Sequence, residues 1–98
     1  MTIEIKKTAA ETVIEAAGRL DTVSAPVLEN AINENTEGTA SLILDLKGIE
    51  YISSAGLRVL LSAQKKMQHQ GSMTVKNVCP AVMEIFEMTG FADILVIE

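Results

Sequence analysis

The chain lacks most of the residues on which catalytic, metal-binding and secreted proteins depend. It contains one cysteine, one histidine and no tryptophan among 98 residues, and aromatic residues make up only 3% of it. A single cysteine excludes an internal disulfide, and one Cys with one His is too few for a typical zinc site. Glycine-rich phosphate-binding signatures followed by lysine are also absent. We therefore expect no intrinsic catalysis and no bound cofactor or metal.

Basic clusters and long apolar runs are missing too. The formal net charge is −5, and no Lys/Arg run exceeds Lys6-Lys7 or Lys65-Lys66. No stretch approaches the roughly 20 apolar residues of a membrane span, and the first ten residues contain no apolar signal core. We expect a soluble cytoplasmic protein with no nucleic-acid binding and no membrane insertion. A basic protein surface is a better candidate partner.

The composition is that of one folded domain. Apolar residues make up 48% of the chain and charged residues 21%, which is typical of a globular protein. Its length predicts a single domain over residues 1–98 with a modest core. There is no repeat, linker or low-complexity segment.

Hydrophobic periodicity predicts alternating strands and helices. Residues 2–7 and 12–18 are typical of an antiparallel hairpin, and the apolar run 41–46 of a central strand buried on both faces. Ser24 and Pro26 indicate the start of a first helix. The later elements are a helix that begins after an N-cap at Ser54 and ends near Gly71, a strand at 72–78, a helix between Pro80 and Gly90, and a short strand at 93–98.

The element order is therefore β-β-α-β-α-β-α-β. It predicts an α/β fold with a single mostly parallel mixed sheet, an N-terminal antiparallel hairpin and helices packed on the sheet. In such sheets the functional edge lies at the carboxyl ends of the strands. Ser53 and Ser54 fall at that edge.

A serine before a helix is compatible with several roles. The string Ile52-Ser53-Ser54-Ala55-Gly56 lacks the first glycine of the nucleophile motif G-x-S-x-G. The only histidine, His69, would lie some 20 Å from Ser54 along the same helix, so no catalytic triad closes. A helix cap and a phosphate acceptor both remain open for Ser54.

The roles of Asp21 and Gly56 each have two possible interpretations. Asp21 either braces the connection into the first helix or contacts a partner. Gly56 either lets the helix lie close to the sheet or lets a partner's backbone or a kinase's phosphate approach.

Three segments together resemble the STAS-domain anti-sigma factor antagonists of bacterial partner-switching systems. GRLDTVSAPVLENA at 18–31 is similar to the family's G-x-hydrophobic-D and first helix. DLKGIEYISSAGLRVLL at 45–61 is similar to its central strand, phosphorylation loop and second helix. NVCPAVMEIFEMTGF at 77–91 is similar to its third helix. The likeness spans nearly the whole chain.

The resemblance implies the STAS fold and a regulatory, non-enzymatic function. Members bind an anti-sigma factor that is also a serine-protein kinase of the histidine-kinase-like ATPase fold, and so free a sigma factor for transcription. The kinase, which brings ATP and Mg²⁺, phosphorylates the serine two positions before the loop glycine, and a PP2C-type phosphatase reverses this. Ser54 stands at that position. The implied partner-binding residues are Asp21, Thr22, Ser24, Ile52, Ser53, Ser54, Ala55, Gly56 and Arg58.

The chain departs from well-known members on both sides of Ser54. They carry Asp before the phosphoserine and Ser or Thr after it, whereas this chain has Ser53 and Ala55. Ser53 is therefore a rival acceptor. Two other functions remain alternatives: a STAS subunit that is never phosphorylated, for instance of a lipid-transport ATPase, and a sensor of a small ligand at the edge of the sheet.

Overall fold

A computed structural model describes all 98 residues. The elements are β1 (Thr2–Lys7), β2 (Glu11–Leu20), α1 (Ala25–Asn35), β3 (Ser41–Ile52), α2 (Ser54–Gln68), β4 (Ser72–Lys76), α3 (Pro80–Thr89) and a short 3-10 helix (Phe91–Asp93). None of the helices has the length and hydropathy needed to cross a bilayer.

The four strands form one mixed sheet in the order β1-β2-β3-β4. Strands β1 and β2 are antiparallel, whereas β2 with β3 and β3 with β4 are parallel. The predicted fold class, with its N-terminal hairpin and parallel crossovers, is confirmed. The β2–β3 register has two irregularities, between Glu15 and Ala17 and between Gly18 and Arg19, of the kind that bulges introduce in a strand.

The core lies on the face of the sheet that receives alternate side chains of β2, β3 and β4. Ile14 and Ala16 of β2 are buried, as are Leu42, Leu44 and Leu46 of β3, because residues two apart in a strand point to the same side. The helices complete the core with Leu28, Ile32, Leu60, Met67 and Phe86. Truncation of one such side chain to alanine typically costs about 2 to 5 kcal/mol.

Strand β3 is longer than predicted, and this difference positions the site. The sequence predicted a strand over 41–46, but β3 continues to Ile52 because Ile49 and Ile52 are both buried against the core. Its last residues pair with the end of β2, where Leu20 lies opposite Ile52. Only Ser53 then separates β3 from α2.

The C-terminal ends of α2 and α3 use glycine in different ways. Gly90 caps α3 with a left-handed backbone, at φ 83°, as predicted. Gly71 does not cap α2, which ends at Gln68 with His69 at the C-cap. Gly71 is instead required by close packing, because a Cβ there would stand 1.8 Å from the carbonyl oxygen of Ala40.

The last strand predicted at 93–98 is reduced to a single parallel bridge between Val75 and Ile97. Residues Phe91–Asp93 form a 3-10 turn, so few residues remain after it to pair with β4. The strand predicted at 72–78 also ends early, at Lys76. Asn77 follows with a positive φ of 58°, which leaves the extended conformation.

Candidate functional site

The predicted site lies where β2 and β3 end side by side. The backbone N–H of Ser53 donates a hydrogen bond of 2.8 Å to the carbonyl of Leu20. This bond joins the start of α2 to the connection between β2 and α1. The residues around Asp21 and those around Ser54, far apart in sequence, therefore meet at one edge of the sheet.

Ser53, and not Ser54, is the N-cap of α2. Its backbone is extended, and its Oγ accepts a hydrogen bond from the N–H of Gly56 at 3.4 Å. The predicted cap at Ser54 is therefore wrong by one residue, because β3 runs up to Ile52 and leaves the extended position to Ser53. Serine and aspartate are both strong N-caps, so Ser53 keeps the capping role that an aspartate would have at this position.

Ser54 is the first residue of α2 and is exposed. Its hydroxyl makes no hydrogen bond within the chain, whereas that of Ser53 is half-buried and occupied by its cap contact. The two serines are thus chemically distinct. Ser54 presents a free hydroxyl to solvent at the start of a helix.

Gly56 is buried beneath this position. A Cβ there would stand 2.7 Å from Leu20 Cγ and 2.8 Å from Ile52 Cγ1. These distances are below normal contact, so the absence of a side chain lets α2 lie directly on the sheet. Of the two interpretations of Gly56, the contacts support close helix packing.

The predicted partner-binding residues fall into three groups by exposure. Thr22, Ser54 and Arg58 are exposed; Asp21, Ser53 and Ala55 are half-buried; Ser24, Ile52 and Gly56 are buried. The Ser53 to Leu20 hydrogen bond brings the segment that contains Asp21 and Thr22 next to the start of α2. The three buried residues can contribute to binding only through the position of their neighbours.

Asp21 braces the connection between β2 and α1. Its Oδ1 accepts hydrogen bonds from the backbone N–H groups of Val23 and Ser24, both at 3.1 Å. The Ser24 N–H hydrogen bond, with that of Val23 and the nearby Arg19 guanidinium, holds the pKa of the Asp21 carboxyl below its usual value. The bracing interpretation is therefore supported, and the second carboxyl oxygen, Oδ2, lies 3.9 Å from Arg19 Nε.

Ser24 stands at the N-cap position of α1, as predicted, but it does not cap in the usual way. Its side chain makes no bond to the first helical turn. The Ser24 Oγ accepts from the Asp21 N–H at 2.9 Å and donates to the carbonyl of Arg19. Asp21 and Ser24 together fix the loop, which gives the connection a defined shape.

Sequence reasoning missed three side chains at this edge. The Arg19 guanidinium lies over the Tyr51 ring, 4.2 Å from its centroid, and its Nε lies 3.9 Å from Asp21 Oδ2. Val23, at the tip of the connection, is 85% exposed and is the most exposed large apolar side chain of the chain. The Arg19 to Tyr51 contact depends on strand register, which the local sequence did not reveal.

Charge is distributed unevenly around the site. Helix α2 carries Arg58, Lys65 and Lys66 and no Asp or Glu, so its formal charge is +3. The remainder of the chain has five Lys/Arg and thirteen Asp/Glu and a formal charge of −8. The helix that begins at Ser54 is therefore the basic element of an acidic protein.

Two findings concern the metal-site and ligand-pocket alternatives. No three His, Cys, Asp or Glu side chains are grouped so that they could hold a metal ion. The single cavity, about 390 Å³, lies beside β1, β2 and β3, and none of the predicted site residues lines it. The ligand-sensor alternative, which placed a pocket at the edge near the helices, has no cavity there.

Comparison with known proteins relates this arrangement to one family. The profile of the STAS domain matches residues 2–98. An anti-sigma-B factor antagonist of Bacillus subtilis is 31% identical over 94 residues, which cover 95% of this chain and 86% of the relative. The crystal structure of an anti-sigma factor antagonist from Mycobacterium paratuberculosis has a TM-score of 0.88 at 26% identity, covering 98% of this chain and 83% of that chain.

A third protein has the same fold at lower identity. SpoIIAA of Bacillus has been solved in an unphosphorylated and a phosphorylated form, with TM-scores of 0.83 and 0.75 and identities of 17% and 16%. Each alignment covers 99% of this chain, and 88% and 91% of the SpoIIAA chains. At this identity the likeness establishes the fold alone.

Proposed function

Because this chain belongs to the STAS-domain family, we propose that it is an anti-sigma factor antagonist whose binding to a cytoplasmic anti-sigma factor is ended by phosphorylation of Ser54. The observation that carries the proposal is the exposed hydroxyl of Ser54, which is free of hydrogen bonds at the start of α2. The partner is a serine-protein kinase of the histidine-kinase-like ATPase fold. It supplies the ATP and Mg²⁺, and the antagonist itself is not an enzyme.

Phosphorylation transfers the γ-phosphoryl group of ATP to Ser54 Oγ. The new P–O bond replaces the bond to ADP, which leaves, and the hydroxyl proton is released. A PP2C-type phosphatase hydrolyses the ester and restores the serine. Ser53 is the poorer acceptor, because its hydroxyl is half-buried and engaged with the Gly56 N–H.

The fold is compatible with a phosphate at this position. A phosphate at the first residue of a helix lies beside unsatisfied N–H groups and the positive end of the helix dipole. Ser54 is exposed, whereas Gly56, Leu20 and Ile52 below it are buried. The modification therefore changes the surface and leaves the packing intact.

The energetics favour an effective switch. Conversion of a complex from mostly bound to mostly free requires a differential of roughly 3 to 5 kcal/mol. A phosphate adds about two negative charges, and unpaired charge buried at an interface commonly costs 2 to 5 kcal/mol. One phosphate in the contact surface is sufficient. In its absence the surface of Thr22, Ser54 and Arg58 binds the kinase.

The proposal is tested with the cognate kinase and ATP, by intact-protein mass spectrometry and a binding assay. Wild type and Ser53→Ala should each gain one phosphate and lose affinity, whereas Ser54→Ala should gain none and stay bound. Stoichiometric phosphorylation of Ser54→Ala would contradict the assignment. The protein can also be purified from its own cells grown under several conditions. If no preparation contains a phosphorylated fraction, the alternative of a scaffold that is never phosphorylated is supported instead.

A further inference from the structure

Arg58 is a cation without a counter-ion. It is exposed on α2 and takes part in no ion pair, hydrogen bond or cation–π contact within the chain. Arg19, the other arginine, has both an aromatic ring and a carboxylate beside it. Since α2 contains no Asp or Glu, its own sequence offers Arg58 no partner.

Ser54 and Arg58 lie one turn apart on the outer side of α2. The inner side of the helix buries Leu57, Leu60 and Met67 against the sheet, whereas Ser54 and Arg58 are both exposed. Residues four apart on a helix have Cβ atoms about 5 to 6 Å from one another. An anionic group four residues before a cationic one is also the more favourable order of such pairs. Arginine matches phosphate well because its planar guanidinium donates two parallel hydrogen bonds.

We propose that Arg58 is the intramolecular counter-ion of a phosphate on Ser54. This inference rests on the proposed phosphorylation of Ser54 and adds a second element to the switch. Without the phosphate, the Arg58 guanidinium is free to bind a carboxylate of the partner. With the phosphate, the guanidinium points toward Ser54, one helical turn nearer the N-terminus of α2, and no longer contacts the partner. Phosphorylation thus adds an anion to the surface and removes a cation from it.

The other charges at this end of the molecule do not replace Arg58. Arg19 is engaged by Asp21 and Tyr51. Glu50 and Glu29, exposed on β3 and α1, are anions and cannot pair with a phosphate. Lys65 and Lys66 follow Ser54 by eleven and twelve residues, or about 16 to 18 Å along the helix. Arg58 is therefore the cation of α2 that lies close enough to pair with a phosphate on Ser54.

The test is a ³¹P NMR titration of the full chain with phosphoserine incorporated genetically at position 54, so that no kinase is needed. The second pKa of a phosphoserine is about 6. Replacement Arg58→Gln should raise the pKa of the phosphate by about 0.3 to 0.6 units relative to the phosphorylated wild type. Arg58→Lys should give a phosphate pKa between these two values, because lysine keeps the positive charge but lacks the planar guanidinium that donates two parallel hydrogen bonds. Lys65→Gln, which removes the same charge farther along the helix, should change the value by less than about 0.1 unit.

The outcomes separate this inference from the proposed function. Equal shifts in Arg58→Gln and Lys65→Gln, or no shift in either, would overturn the pairing while phosphorylation-dependent release could still hold. A titration as expected, in a protein that its kinase does not phosphorylate, would leave the pairing in place and refute the proposed function. Circular dichroism of the variants checks that α2 remains folded, so a shift reports the charge pair and not loss of the helix.

Discussion

The backbone of Gly56 lies directly against the side chain of Leu20, so that a Cβ at residue 56 would stand 2.7 Å from Leu20 Cγ. Leu20 is fully buried at the end of β2, and its carbonyl accepts the N–H of Ser53. This contact sets how closely α2 approaches the sheet. It therefore also fixes where Ser54, two residues before Gly56, meets solvent.

Replacement Gly56→Ala should destabilise the protein. The added methyl group must displace Leu20 or Ile52, at a cost of about 1 to 3 kcal/mol, against a gain in helix propensity of up to about 1 kcal/mol. Urea unfolding should show a net loss of stability. Ser62→Ala, at an exposed position of the same helix, should change stability by less than about 0.5 kcal/mol. Equal stability of Gly56→Ala and wild type would show that the helix can move away from the sheet.

Ser53→Ala and Ser54→Ala should differ in stability, because only Ser53 is an N-cap. Loss of an N-cap typically costs about 0.5 to 2 kcal/mol, and the 3.4 Å bond from Gly56 favours the lower part of that range. Ser54→Ala removes an exposed hydroxyl without a hydrogen bond and should be neutral or slightly stabilising. Thermal unfolding of the two unphosphorylated variants measures the difference. A greater loss of stability in Ser54→Ala than in Ser53→Ala would show that Ser54, and not Ser53, is the N-cap of α2.

The order of the first seven elements could be predicted from the sequence, because hydrophobic periodicity agreed with the capping and turn residues. The eighth, a strand at 93–98, was wrong, since that segment forms only one bridge. Alternation in 2–7, helical spacing after Ser24 and glycine at the end of α3 each gave the correct element. The extent of β3 was not readable, since the residues after Leu46 have no clean alternation and are held in the sheet by pairing with β2. That pairing is a tertiary effect. It moved the cap from Ser54 to Ser53.

The site could be located but not described from the sequence. The strand-to-helix position of Ser54 and the family's spacing indicated where to look. The burial of Ile52 and Gly56, the exposure of Val23 and the stacking of Arg19 on Tyr51 depend on how β2 and β3 align at their ends. Local patterns do not encode that alignment.

Gly71 and Gly90 should respond differently to substitution. At Gly71 any Cβ collides with the Ala40 backbone, so both Gly71→Ala and Gly71→Asn should cost roughly 2 kcal/mol or more. At Gly90 there is open space but φ is 83°, so Gly90→Asn should cost less than Gly90→Ala, because asparagine tolerates the left-handed region better. Urea unfolding of the four variants tests this. Tolerance of alanine or asparagine at Gly71 would show that the Ala40 backbone can move to make room for a side chain.

The bracing of the 21–24 connection should depend on pH through the charge of Asp21. The folded pKa of this carboxyl lies below its usual value near 3.8, since the Ser24 N–H, the Val23 N–H and the Arg19 guanidinium favour the carboxylate. Its contribution to stability is therefore complete well above pH 3.8 and is lost as pH falls through the lower folded value. Asp21→Asn keeps an oxygen for the two N–H groups but removes the charge. It should be less stable than wild type near about pH 6, and the difference should shrink toward about pH 3. Thermal unfolding of both proteins across this range measures the difference, and Glu37→Gln, at an exposed loop position, controls for the removal of one negative charge. A difference that stays constant with pH would show that the hydrogen-bond geometry, and not the charge, stabilises the connection.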